Sequence, residues 1–512
     1  MTELELFQIY HLKEMSLSAE LFLSCSVLQL TFYAISTAYQ RKAGFVILNK
    51  QIYYIGTLLI ILSSLLILNE DLLITNSLTS NNSIVNDYFS FATKLVVCLT
   101  SIFFLLIVNI SFRDEPAQNN FEYVVLVTIS ILGLLLLCSS NDLITAYLSI
   151  ELQSVAFYIM SAFKRNSSYS VESGLKYFII GSLSSAFFLF GSALIYGCLG
   201  SLSFDDLQLF CSLFFSSSAP ELSALNLDLI SIGFLLICIS LFIKLSIAPF
   251  HFWSLDVYEG SPNVTTFFFS VVPKIGLLVL LTRICYVSFY PIFVTNYQVY
   301  FFLFAVLSVF VGSFGGLEQR KLKTLLAYSS VGHTGYLLLS FSTGNAEGMQ
   351  MMFYYLVIYM ISGLCFWSIY LFLRQKRSSY FNKSNKELGD LALLKESNPM
   401  LALILAITLF SIAGIPPIVG FLAKLGIFLV VVKSSSYLVA VLSILFSVVS
   451  TFYYIRLIKI LYFENTLVGK LYMPIDTQKS LIISLLALSL IILCIDPTII
   501  YLLFYKATLL MS

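Results

Sequence analysis

Three lysines stand where lysine is costly. Lys244 lies in an uncharged run that begins at Leu229, Lys274 in a second apolar segment and Lys424 in a third. A bare ammonium in the middle of a membrane helix costs about 2.5–3.5 kcal/mol on insertion scales. Each lysine also has proline beside it: Pro249 five residues after Lys244, Pro273 just before Lys274, and Gly414-Ile415-Pro416-Pro417 ahead of Lys424. Proline removes a backbone donor and clashes with the carbonyl one turn back, so a helix breaks or kinks there. Interrupted membrane helices beside ionisable groups are a recurring way to build ion-translocating sites. The plain alternative is a lysine snorkelling to the interface. Three such sites in one chain weigh against it.

A carboxylate accompanies them. Glu151, Ser154 and Tyr158 share one face at the helical period, a polar stripe on an otherwise apolar helix that should face other helices or water. Glu151 and Lys244 form a candidate switching pair, with Lys274 a central relay and Lys424 a link onward. Lys176, four residues after Glu172 near the inner end of its helix, is a secondary candidate, set against an ordinary surface position. His251 and His333 are further secondary candidates because imidazole titrates near neutral pH; the alternative for each is a hydrogen bond between helices. Lys94 and Arg283 fall near helix ends, where snorkelling is expected. Asp256 and Glu259 are expected in a loop, capping a helix start.

These residues need a bilayer around them. Of 512 residues 59% are hydrophobic and 11% charged, against about 25% charged in soluble domains. The composition is that of a polytopic membrane protein. A net charge of +1 gives no reason to invoke nucleic acid. The nine cysteines are scattered, with no Cys-x-x-Cys pair, so no iron–sulfur or zinc site is indicated. No Gly-rich phosphate loop points to a nucleotide. Residues 1–16 lack the apolar core of a removable signal peptide.

The fold class read from this pattern is all-α, with about fourteen transmembrane segments: 17–39, 52–68, 88–110, 121–139, 141–163, 172–198, 229–250, 263–289, 298–316, 322–343, 349–373, 399–432, 436–462 and 479–504. Basic residues follow the first, third, fifth, ninth, eleventh and thirteenth segments (Arg41-Lys42, Arg113, Lys164-Arg165, Arg320-Lys321 with Lys323, the 374–395 cluster, and Arg456 with Lys459 and Lys470). Loops after the second, fourth, sixth, eighth and tenth carry no Lys or Arg, and several are acidic. The positive-inside rule then puts both termini on the outer side. Segments 69–87 and 201–228 read as outer loops, and 374–396 as a charged inner one. The fourth to eighth and ninth to thirteenth segments align as two five-helix repeats, inverted because five is odd, with the seventh and twelfth discontinuous at Pro249 and at Pro416-Pro417. The expected divisions are 1–115, 116–290, 291–470 and 471–512.

Several runs carry a resemblance: Glu151-Leu-Gln-Ser, Gly174-Leu-Lys-Tyr, Ala248-Pro-Phe-His-Phe-Trp with Asp256-Val-Tyr-Glu-Gly-Ser-Pro, Pro273-Lys-Ile, Leu326-Ala-Tyr-Ser-Ser-Val-Gly-His, and Gly414-Ile-Pro-Pro-Ile-Val-Gly-Phe-Leu-Ala-Lys. Together they resemble the antiporter-like membrane-arm subunits of respiratory complex I, NADH–ubiquinone oxidoreductase, in mitochondrial form. The resemblance implies that Glu151, Lys244, Lys274 and Lys424 lie on a central hydrophilic axis. It implies proton translocation coupled to NADH:ubiquinone electron transfer, with FMN, iron–sulfur clusters and ubiquinone in partner subunits and no cofactor in this chain. Implied partners are neighbouring antiporter-like subunits and the bilayer, with cardiolipin a candidate lipid; the implied location is the mitochondrial inner membrane. Asn263 after Ser261-Pro262 departs from the family's usual Thr-Pro. The rival readings are a free-standing cation/proton antiporter and a purely structural membrane subunit.

Overall fold

The computed structural model describes residues 17–38, 50–69, 77–79, 83–112, 121–164, 166–216, 222–375, 383–384, 387–392, 394–464, 472 and 475–510. Residues 1–16, the basic positions Arg41, Lys42, Arg113, Arg165 and Lys470, the acidic pair Glu70-Asp71 and, within 374–396, residues 376–382, 385–386 and 393 lie outside them. The rest is overwhelmingly helical. A bilayer core offers no water to unpaired N–H and C=O groups, so each spanning segment must close its own hydrogen bonds. Among the described residues twelve helical stretches are long and apolar enough to cross a membrane. All twelve fall on segments expected from the sequence. Of the other two, 322–343 is a buried helix rich in Ser, Thr and Gly, and 399–432 is a pair of shorter helices.

The chain divides into two compact units. The first comprises residues 1–245, 272–297 and 506–512. Its elements are α1 (Ser18–Ala38), α2 (Lys50–Leu68), a hairpin of β1 (Ser77–Thr79) and β2 (Ile84–Asn86), α3 (Tyr88–Phe112), α4 (Phe121–Ser139), α5 (Leu143–Ser161), α6 (Ser168–Leu199), α7 (Phe204–Ser216) and α8 (Leu222–Leu245). The hairpin is antiparallel, Leu78 opposite Val85. α5 starts where the Asp142 side chain accepts the Ile144 N–H, and α6 ends at Gly200 with φ 75°. α6 and α8 approach through glycines: a Cβ on Gly191 would meet the Gly233 carbonyl oxygen at 2.6 Å. Buried serines bond back to carbonyls three residues earlier, as Ser240 does to Ile237 at 2.7 Å, which lets a Ser-rich chain sit in lipid.

The second unit comprises residues 246–271 and 298–505. It holds α9 (Phe252–Gly260), α10 (Asn263–Val271), α12 (Gln298–Gly315), α13 (Leu322–Phe341), α14 (Ala346–Phe372), the ribbon β3 (Arg374–Gln375) with β4 (Lys383–Ser384), α15 (Pro399–Ala413), α16 (Val419–Lys433), α17 (Tyr437–Tyr462), α18 (Thr477–Ile495) and most of α19 (Thr498–Leu509). Between them α11 (Pro273–Thr282) and the π-helical turn Arg283–Ser288 belong to the first unit. α12 and α13 meet almost backbone to backbone, since a Cβ on Gly312 would lie 2.5 Å from Gly332. In the link between α17 and α18, the Tyr472 hydroxyl donates to the Asp390 carbonyl, and burial pushes that phenol above its ordinary pKa.

Four expectations are corrected. Segment 479–504 is not one helix: Asp496 caps the next turn, accepting from the Thr498 N–H at 3.1 Å, and Pro497 ends the ladder between α18 and α19. Segment 201–228 is not simply a loop. It contains α7, opened by Asp205 and Asp206 in the first turn where acidic side chains suit the helix dipole. Segment 69–87 is not simply a loop either, since it carries the short β1–β2 hairpin. Asp256 and Glu259 lie within α9, because the helix resumes after the Pro249 break; Glu259 pairs with Lys321.

Candidate proton-transfer site

In the first unit the polar stripe on α5 is present as expected. The Ser154 hydroxyl lies 3.1 Å from the Glu151 carbonyl oxygen and 3.3 Å from Glu151 Oε2, a shared donor to both. Glu151 Oε1 is buried without a hydrogen-bond partner among the described residues. Lys244 lies in the last turn of α8. Beyond Lys244 the chain leaves the helix at Ser246, where φ is 56°, and the Ala248–Pro249 peptide is cis.

Lys274 is 5% exposed in the first turn of α11, directly after Pro273, which occupies the N-terminal position where its missing N–H costs nothing. Lys176 pairs with Glu172 at 2.9 Å, and both side chains are exposed in this chain. It is therefore set apart in kind from the buried Lys274 and Lys424.

Two residues expected to snorkel do not. Lys94 is fully buried and meets Glu20 Oε1 at 2.5 Å and Asn86 Oδ1 at 2.8 Å; Arg283 is 3% exposed and donates to Asp87 Oδ1 at 2.8 Å. Asp87 also accepts the Ser90 N–H at 2.8 Å, capping α3. Because Asn86 and Asp87 are consecutive, the two ion pairs form one cluster of four buried charges. The sequence signal was available: the two bases in apolar segments are matched by two acids, Glu20 and Asp87, at the starts of α1 and α3.

The second unit contains the other break. α15 ends at Gly414, φ 76°, and α16 begins at Val419, with the Pro416–Pro417 peptide cis between them. A broken helix leaves carbonyls without intrahelical partners. Lys424 Nζ donates to one of them, the Ala413 oxygen, at 2.7 Å, and sits 5.0 Å from the centre of the Tyr336 ring. A Cβ on Gly414 would fall 2.6 Å from Lys424 Cδ, so the glycine is what admits the lysine stem.

His333, on α13, is buried with both ring nitrogens engaged: Nδ1 lies 2.5 Å from the Tyr355 hydroxyl and Nε2 3.3 Å from the Tyr454 hydroxyl. His333, Tyr336, Lys424 and Tyr454 line one small cavity with room for about one water molecule. His251, just after the first break, is buried with its ring against Phe252. The tyrosines around His333 were not picked out from sequence, where they are lost among 31 tyrosines.

Residues 140–450 match the profile of the NADH:quinone oxidoreductase/Mrp antiporter transmembrane family. The chain belongs to that family. NADH-ubiquinone oxidoreductase chain 2 of Marchantia polymorpha is 36% identical over 92% of this chain and 93% of its own length. NADH-quinone oxidoreductase subunit N of Paramagnetospirillum magneticum is also 36% identical, over 81% of this chain and 83% of its own. A chain of respiratory complex I from Thermus thermophilus superposes with a TM-score of 0.75 at 25% identity, covering 94% of this chain and 98% of that one. A chain of the Mrp complex from Dietzia shares the fold at 17% identity, TM-score 0.77, covering 96% and 97%.

Proposed function

We propose that this antiporter-family chain is a proton-translocating membrane-arm subunit of a respiratory NADH:quinone oxidoreductase in the mitochondrial inner membrane. The observation that carries the reading is Lys424 bound to the Ala413 carbonyl that the helix break frees. A lysine held by an orphaned carbonyl is solvated by protein at membrane depth, as a proton site requires. Glu151 and Lys244 form the switching pair, Lys274 the relay and Lys424 the link onward; Lys176, His251 and His333 are secondary members of the path, and Pro249, Pro416 and Pro417 make the breaks. Within the first unit α4 packs on α5, α5 on α6 and α6 on α8, and within the second α12 packs on α13, α13 on α14 and α14 on α15 and α16; this like order of packing supports two inverted repeats, spanning 116–290 and 291–470. Both termini then lie on the intermembrane-space side.

Energy must come from outside the chain. Moving one charge against 100 mV costs about 2.3 kcal/mol, so a membrane at roughly 150–200 mV demands about 3.5–4.6 kcal/mol per proton. Contacts with partner subunits, which hold the FMN, iron–sulfur clusters and ubiquinone site, deliver it.

A native gel of gently solubilised membranes, blotted for this chain and stained for NADH dehydrogenase activity, tests the assignment. Co-migration with a large active band is expected; a small inactive species would favour a free-standing antiporter. In the assembled complex, Lys244→Met and Lys424→Met should each reduce NADH-driven proton translocation, and Glu151→Gln should lower it as well. Intact pumping in both lysine variants would leave only a structural role.

A further inference from the structure

Both nitrogens of His333 face tyrosine hydroxyls donated by two other helices: Tyr355 from α14 and Tyr454 from α17. All three side chains are at most 5% exposed. A neutral imidazole has one N–H donor and one acceptor nitrogen, so one tyrosine donates to the ring while the other accepts from it. Two helices have thus placed one hydroxyl on each side of a buried ring, and the far hydroxyl borders the cavity that Lys424 also lines. Any buried imidazole needs a partner at each nitrogen; what distinguishes this one is that its second partner opens onto a cavity lined by a lysine.

We propose that Tyr355 and Tyr454 are proton carriers, passing a proton through His333 by exchange of its tautomer toward the cavity holding Lys424. The step balances without free charge on the ring. A water-borne proton bonds to the Tyr355 oxygen as that hydroxyl's own proton moves to Nδ1. The Nε2–H bond breaks and its proton joins the Tyr454 oxygen, which releases its original proton to water in the cavity. One proton enters, one leaves, and the ring ends with its N–H on Nδ1. Rotation of the ring and hydroxyls resets it. In a medium where an isolated charge is costly, a concerted shift avoids an exposed imidazolium. Lys424 Nζ and the hydroxyls of Tyr336, Tyr359 and Tyr453 are the other titratable groups near this path.

The inference rests on the reading of Lys424 as a proton-path residue, and the test separates the two. Tyr355→Phe and Tyr454→Phe keep the rings and remove only the hydroxyls. They are compared with Lys424→Met, and with Tyr123→Phe, which removes a buried hydroxyl from the first unit that has no hydrogen-bond partner among the described residues. The readouts are NADH-driven proton translocation per assembled complex and the solvent deuterium effect on turnover. Loss of a proton carrier should slow translocation by about tenfold or more and enlarge the deuterium effect, which a packing defect would not do. Tyr123→Phe should behave as the parent. Parental pumping in both tyrosine variants, with Lys424→Met impaired, overturns the relay and leaves the path reading standing. Unimpaired pumping in Lys424→Met overturns the path reading, and the relay with it. If Tyr355→Phe fails to assemble, Tyr454→Phe, whose bond to the ring is the longer, decides.

Discussion

Lys94 and Arg283 are the residues at which local sequence reasoning went astray. Glu20 is 74 positions from Lys94 and Asp87 is 196 from Arg283, so no periodicity or spacing within one helix can reveal either pair. Glu151 and its stripe were legible because their spacing is local to one helix. Removing one partner of a buried ion pair typically costs about 3–5 kcal/mol, while removing both can be nearly neutral. Lys94→Met should therefore sharply lower the amount of folded chain in the membrane, and Glu20→Gln with Lys94→Met should recover most of it. Protease resistance and immunoblotting of the assembled complex would measure this. A double variant as unstable as the single would show that the pair does more than neutralise itself.

At the scale of elements, helix breaks were readable from proline and glycine, and their geometry explains what the glycines are for. Gly414 combines a left-handed backbone with direct contact to the Lys424 stem. An L-residue there costs about 1–2 kcal/mol in backbone alone. Gly414→Ala should thus impair proton translocation more than it lowers assembly, because the lysine is displaced before the fold is lost. Gly312→Ala should act in the opposite order. Its Cβ would strike the α13 backbone at Gly332, one residue before His333, so α12 and α13 must separate. Reduced thermal stability of the solubilised complex is the expected result. The end of α18 shows the limit of such reading: Asp496-Pro497 was visible, but the apolar run on both sides masked it as one helix.

Across the whole molecule, run length and apolarity were enough to locate the twelve long apolar helices among the described residues, since the bilayer imposes one length and one backbone solution on each. What they could not give was which buried charges meet, because that is decided by tertiary packing. The buried pairs also bear on the order in which the chain can enter the membrane. α1 has a mean hydropathy of 1.3, the lowest of the twelve spans, and it carries a carboxylate whose counter-charge is not synthesised until α3 emerges. Until then the first helix is a poor client for the insertion machinery, held at the interface or shielded by it. The second pair waits longer still, for a helix nearly two hundred residues downstream. Co-translational insertion of this chain should accordingly proceed in steps rather than helix by helix, with α1 committing to the bilayer only when α3 arrives to meet it.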